Sequence, residues 1–237
     1  MVNYIIFTDS GADLSLKLIK NLKVEVIPLK FTLQGNCFND YPDGREMSPH
    51  DFYDAVRSGE MPTTAQINTS EFIEHFEPYL KQGSDILYLS FSSGLSGTYN
   101  AARIAALDLT EKYPERKIVV VDTLAASMGE GLLIYYAAQK RLAGASLQEV
   151  AAFVEDNRNQ LCHWFTVDDL NHLKRGGRIS AAAALFGSML GIKPVLHVDD
   201  AGHLIPMAKV RGRRASLDAL ILHMEQTVIK PEEQRCV

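Results

Sequence analysis

The chain has 237 residues, 46% of them hydrophobic and 22% charged, which is enough apolar material for one large or two modest globular domains. A net charge of -5 argues against a general nucleic-acid partner. The longest apolar run falls short of a bilayer span, so an integral membrane protein is not expected.

Taken in chain order, Tyr4-Ile5-Ile6-Phe7-Thr8-Asp9-Ser10 reads as a short buried strand ended by Asp9-Ser10-Gly11, and Leu14 to Leu22 follows with helical spacing. Val24 to Leu33 is extended, with Pro28 making it an edge or interrupted strand. Gln34 to Gly44 is turn-rich. Ser48 and Pro49 open a helix, as cap and first helical residue, that runs to about Gly59. Met61 to Phe72 reads as a loop leading into a capped helix over Thr69–Leu80. Ser84 to Phe91 is a buried strand, followed by a loop and a helix to about Tyr113. Lys117 to Thr123 is another buried strand, and helices are predicted over Ala126–Ala143 and Leu147–Gln160. This alternation predicts a parallel α/β sheet, whose ligands bind at the carboxyl ends of the strands. Asp9-Ser10, Ser92 to Thr98 and Asp122-Thr123 all fall at such ends.

After about residue 160 the pattern changes. Cys162 to Ser180 reads as strand, short helix and Gly176-Gly177 turn. Ala181 to Gly191 is a small-residue helix. Lys193 to Val210 is an antiparallel hairpin turning at Asp200-Ala201-Gly202, and Arg214 to Val228 is an amphipathic helix. Two domains are expected: 1–158, α/β, and 159–237, α+β with a mostly antiparallel sheet. The N-terminus has no basic leader, and Cys37, Cys162 and Cys236 match neither a disulfide framework nor a zinc site. A reduced, cytoplasmic protein with inert thiols is expected.

The chemistry concentrates in Ser92-Ser93-Gly94-Leu95-Ser96-Gly97-Thr98. A plain strand-to-helix connection needs one capping hydroxyl, Ser96 or Thr98, and a glycine. Ser92 and Ser93 are surplus to that, and together with the open N–H groups of the helix's first turn they compose a small anion site. The loop is not a Walker A motif, since no Gly-Lys-Ser/Thr follows. Nor is it a nucleophile elbow, since Gly94-Leu95-Ser96-Gly97 lacks the fifth position. Two readings stay open: an anion-holding loop, or a hydrolase or phosphotransferase using this loop (Ser96 or Ser93) with Asp9 or Asp122. None of the seven histidines carries a motif that names a base. Thr63 and Thr64, in Met61 to Gln66, read as a linker alone and as a second clamp if they reach the same sheet edge. Asp9, Asp13 and Asp122 are turn or cap carboxylates rather than metal ligands. Lys174, Arg175, Arg178, Lys209, Arg211, Arg213 and Arg214 are the one basic concentration, lying in turns. They fit a solvated face or a docking surface.

These motifs together carry a family resemblance. Thr8 to Leu14 (TDSGADL), Val26 to Leu29 (VIPL), Pro62 to Gln66 (PTTAQ), Ser92 to Ala102 (SSGLSGTYNAA), Val119 to Thr123 (VVVDT), Leu173 to Ser180 (LKRGGRIS), Gly191 to Gly202 and Lys209 to Ser216 (KVRGRRAS) occur in order along the whole chain. The chain resembles the DegV family of fatty-acid-binding proteins, which includes the FakB-type subunits of bacterial fatty acid kinase. The resemblance implies a DegV-like two-domain architecture with a long-chain fatty acid, such as palmitate, stearate or oleate, between the domains. It implies that Thr64 and Ser96 hold the carboxylate, with Thr63, Ser93, Gly97 and Thr98 around it, and that no cofactor is needed. It also implies a carrier that presents the acid to a separate ATP-dependent kinase subunit, which forms the acyl phosphate. Arg175, Arg178, Arg211 and Arg213 are expected to dock that partner. Ala65 stands where the family commonly has serine, and the family continues past Val237, so the second domain is expected to be incomplete. A carboxylate amphiphile suits the site. Hydroxyls and N–H groups can hold one negative charge without a counter-cation, and burying the tail at ~0.8 kcal/mol per CH₂ gives roughly 10 kcal/mol gross.

Overall fold

The computed structural model describes residues 4–180 and 191–233. The chain divides into two packed units, Met1–Arg158 and Asn159–Val237.

In the first unit, strands β1 (Tyr4–Asp9), β2 (Val24–Ile27), β6 (Asp85–Ser90) and β7 (Ile118–Asp122) form a parallel sheet in the order β2-β1-β6-β7. The chain leaves β1 for β2 on one side and returns to β6 on the other. The strand order therefore reverses between β1 and β6, and a crevice opens there at the carboxyl ends. Helices α1 (Leu16–Leu22), α5 (Ser127–Leu142) and α6 (Leu147–Asn157) supply side chains to the core on one face. Helices α3 (Thr69–Lys81) and α4 (Thr98–Lys112) do so on the other. Along β6, Leu87 and Leu89 enter the first core, while Ile86 and Tyr88 enter the second. A strand covered on both faces has no polar side to show, which is why these strands read as unbroken apolar runs. The second core is aromatic: Phe76 meets Phe7 edge-on at 5.1 Å and Phe72 at 5.5 Å.

Two segments differ from the sequence expectation. Strand β3 (Lys30–Leu33) lies between β4 (Asn36–Asn39) and β5 (Thr63–Ala65) in a small antiparallel sheet. Asn36–Asn39, expected as turn, is a strand because Gln34 and Gly35 both take positive φ, 51° and 78°. This sets a tight hairpin whose twist matches its strands. Thr63–Ala65, expected as loop, is a strand because its backbone pairs with β3, Thr64 opposite Phe31. Pro28 interrupts β2 and β3 as expected. Helix α2 (Pro49–Arg57) begins at the Ser48 cap, and Asn68 with Glu71 forms a reciprocal capping box on α3.

In the second unit, β8 (Trp164–Thr166), β9 (Ile192–Val198) and β10 (Leu204–Arg211) form an antiparallel sheet in the order β10-β9-β8. The hairpin turn is braced by Asp199, whose Oδ1 accepts from the N–H groups of Ala201 and His203. Helix α7 (Asn171–Arg175) ends in a Schellman turn, with Gly177 N–H donating to Lys174 O and Arg178 N–H to Leu173 O. Gly177 sits at φ 75°, which accounts for the second glycine of the pair. Helix α8 (Arg213–Thr227) packs on this sheet. Trp164 is sandwiched between His223 on α8 at 3.6 Å and His197 on β9 at 4.6 Å. The helix expected over Ala181 to Gly191 lies, but for its last residue, outside the described residues, as does Cys236; Cys37 and Cys162 are free and exposed.

Candidate functional site

The candidate site lies at the carboxyl end of the parallel sheet, where β1 and β6 part. Ser92 to Gly97 cross from β6 to α4, and two carboxylates fix the β6 end of this loop, at Phe91 and Ser93. Asp9, at the end of β1 and fully buried, accepts three hydrogen bonds. Tyr88 Oη donates to its Oδ2 at 2.6 Å, Phe91 N–H to the same oxygen at 3.0 Å, and Gly11 N–H to Oδ1 at 3.0 Å. Burial pushes this carboxyl up, and the three donors oppose the rise. Asp122, at the end of β7, accepts from Ser93 N–H and Leu124 N–H, both at 3.1 Å. Asp9 and Asp122, candidates for acid–base work in the sequence, thus hold loop backbone. Ser92 is also part of the scaffold: it is buried and its Oγ accepts from Gly94 N–H.

The loop hydroxyls left with exposure belong to Ser93 and Ser96; Thr98 is fully buried. Ser93 is exposed and Ser96 half-buried. Ser96 Oγ lies 2.8 Å from Thr98 Oγ1 and accepts from Thr98 N–H at 3.2 Å. Gly97 is the N-cap residue of α4 and provides no side-chain cap, so Ser96 does part of that work from one residue earlier. A bare glycine at the cap leaves the following N–H groups of the first turn approachable by an anion.

Gly97 has a second role. A Cβ built there would stand 2.0 Å from Gln66 Oε1. The carboxamide of Gln66 therefore rests on the face of Gly97, and Gln66 directly follows β5. Thr63 and Thr64, exposed on an edge strand, precede Gln66 by three and two residues. The end of the Thr63–Ala65 segment and the start of α4, over thirty positions apart in sequence, meet through this one contact. Sequence reasoning misses Gln66, whose only signal is its place in the Pro62 to Gln66 motif. Tyr88, which anchors Asp9, gave no sign of its role within an apolar strand.

The four arginines belong to the second unit. Arg175 ends α7, Arg178 follows the Gly-Gly turn and donates to Gly176 O, Arg211 ends β10 and Arg213 begins α8. Arg175, Arg211 and Arg213 are exposed. Asp168 takes Lys193 Nζ at 2.8 Å, and its carboxyl is held below the usual range by that hydrogen bond first, with a smaller contribution from Arg213. Among the described residues, no group of three or more His, Cys, Asp or Glu side chains is arranged to hold a metal ion, and no helix is long and apolar enough to cross a membrane.

A parallel sheet with a hydroxyl-bearing loop at its switch point, and an antiparallel second unit, define the class as α/β. The DegV family model matches residues 3–237, and the chain belongs to that family. A DegV domain-containing protein of Clostridium perfringens is 50% identical over 234 residues, covering 99% of this chain and 80% of the relative. Among solved structures, a DegV family protein from Thermus thermophilus described as fatty acid binding is 34% identical with a TM-score of 0.79, over 94% of this chain and 79% of the other. A DegV lipid-binding protein from Thermotoga maritima is 29% identical with a TM-score of 0.83, over 96% of this chain and 78% of the other.

Proposed function

We propose that this protein is a fatty-acid carrier whose head-group site is the edge shared by Ser96, the first turn of α4 and the Thr63–Thr64 strand. The observation that supports the reading is the seating of Gln66, two residues after Thr64, on Gly97, one residue after Ser96. Thr64 and Ser96 hold the carboxylate, and Thr63, Ser93, Gly97 and Thr98 complete its surroundings. One carboxylate is matched by hydroxyl and N–H donors alone, whereas a polyphosphate calls for lysine or a metal. Asp9 and Asp122 are engaged by loop N–H groups, which favours a holder of ligand over a hydrolase or phosphotransferase using the same loop. The family resemblance adds that the bound acid is presented, in the cytoplasm, to an ATP-dependent kinase subunit that forms the acyl phosphate.

Thr64→Ala and Ser96→Ala are each expected to weaken binding of a fluorescent fatty acid about tenfold or more, since removing a neutral partner of a charged acceptor costs ~1–3 kcal/mol. Circular dichroism should show the fold intact. Parent-like affinity in both variants would remove these residues from the site, and turnover of an ester or phosphate by the purified protein would favour the enzyme reading.

The exposed arginines serve docking. With the ligand's single charge already answered by hydroxyls and N–H groups, Arg211 and Arg213 are available to an acidic protein surface, where rim charges act mainly on encounter rate. Arg211→Ala or Arg213→Ala should leave fatty-acid binding unchanged and slow acyl-phosphate formation with a partner kinase, the deficit shrinking at high salt. Loss of lipid binding, or no change in either assay, would count against docking.

A further inference from the structure

Gly97 is a glycine for a reason of space. It takes φ -75° and ψ 0°, a backbone conformation that does not call for glycine. A Cβ there would nevertheless collide with Gln66 Oε1 and stand 2.9 Å from its Cδ. The room that a side chain at position 97 would need is taken by the end of the Gln66 side chain. The chain on either side of Gln66 is held differently. Directly after it, Ile67 is 2% exposed and belongs to the core cluster that contains Ala101 and Ala102 of α4, and Thr69 Oγ1 donates to Ala101 O at 3.5 Å. Directly before it, Thr63, Thr64 and Ala65 are exposed and pair with β3 at the sheet edge. Gln66 stands where the chain passes from the stretch anchored on α4 to the exposed hydroxyl strand.

Its carboxamide has capacity to spare. A glutamine offers two N–H donors and a carbonyl acceptor, and among the described residues none of them is engaged in a hydrogen bond. The oxygen is the atom set against Gly97, while Nε2 lies 3.3 Å from the same Cβ point, so the donor end is turned away from the backbone. A carboxylate accepts hydrogen bonds and donates none, so a free donor one residue from Ser96 matches it. We propose that Gln66 is a further head-group residue that determines specificity for an acid: Gly97 seats its carboxamide, and Nε2 donates to the ligand's carboxylate beside Ser96. The donor role rests on the head-group reading, whereas the seat on Gly97 does not.

The test uses the full chain and cis-parinaric acid, a fluorescent long-chain acid, with its methyl ester as the neutral-headed control. Gln66→Ala should weaken the acid about threefold to tenfold, the low end for a hydrogen bond to a charged group because Gln66 is exposed. Gly97→Ala should give the same loss by evicting the carboxamide, and combining the two should add nothing further. Gln66→Glu keeps the shape, removes both donors and brings a second negative charge to the carboxylate. It should weaken the acid more than Gln66→Ala does, less so at high salt, and hold the ester as Gln66→Ala does. A side chain that only packs would be replaced by this isostere without loss. In the ligand-free protein, a nuclear Overhauser effect between the Gln66 carboxamide protons and the Gly97 Hα protons reads the seat itself. Parent-like acid binding in Gln66→Ala or Gln66→Glu, a further loss when Gly97→Ala is added to Gln66→Ala, or absence of that Overhauser effect would each overturn the proposal. Should Gly97→Ala fail to fold, Gln66→Glu and the Overhauser effect decide it. Weakened acid binding in the Gln66 variants beside parent-like Thr64→Ala and Ser96→Ala would uphold Gln66 and remove the other two from the site. A parent that binds neither acid nor ester would defeat the head-group reading and the donor role together, with the seat still decided by the Overhauser effect.

Discussion

Asp9→Ala is expected to lower folding stability by about 3–5 kcal/mol, because it leaves one buried and two part-buried donors without their acceptor at ~1–3 kcal/mol each, less the desolvation relieved by removing a buried carboxyl. The donors are the Tyr88 hydroxyl and the N–H groups of Phe91 and Gly11, and they come from both sides of the strand-order reversal. The damage should concentrate at the crevice. Phe91 and Gly11 begin the two loops that leave β6 and β1, so their amides should exchange with solvent faster than those of β1 and β6 themselves. Equilibrium denaturation gives the magnitude, and hydrogen exchange gives the location. A loss under ~1 kcal/mol would show that the three donors find other acceptors, and Asp9 would not then be the anchor of the loop.

Phe76→Ala is expected to cost a similar ~3–5 kcal/mol through a different mechanism, a cavity in a close-packed core. Phe76 is completely buried on the face of α3 that meets the sheet. Its ring lies edge-on to Phe7 at 5.1 Å and tilted against Tyr88 at 6.0 Å. Edge-to-face aromatic pairs add to the area term, so the loss should exceed that from truncating an isolated buried leucine. Tyr88 also carries the hydroxyl that holds Asp9, which couples this core to the crevice. Combining Phe76→Ala with Asp9→Ala should therefore give less than the sum of the two losses, as expected for residues sharing a partner. Strict additivity in a double-mutant cycle would mean that the aromatic core and the loop anchor are independent.

Much of this architecture is written locally. The apolar runs at Tyr4 to Asp9, Ser84 to Phe91 and Lys117 to Thr123 specify buried parallel strands, because strands covered on both faces show no alternation. Ser48, with its following proline, marks the start of its helix, and the paired glycines after Arg175 mark the end of another, because caps depend on backbone conformation over a few residues. The hydroxyl loop before α4 was legible for the same reason, since surplus serines at a helix start are visible without any knowledge of packing. The tertiary structure alone decided the rest. Thr63–Ala65 is a strand only because β3 offers it hydrogen bonds, and a three-residue segment has too little pattern to announce that. Gln66 meets Gly97 only because β5 and the start of α4 arrive at the same edge. Asp9 finds Tyr88 and Phe91 at separations of 79 and 82 residues, and Glu130 finds Thr8 across 122. Period and capping are properties of neighbouring residues along the chain. A buried side chain's partner is set by the register and packing of elements distant in sequence, and that is fixed only when the sheet and its helices come together.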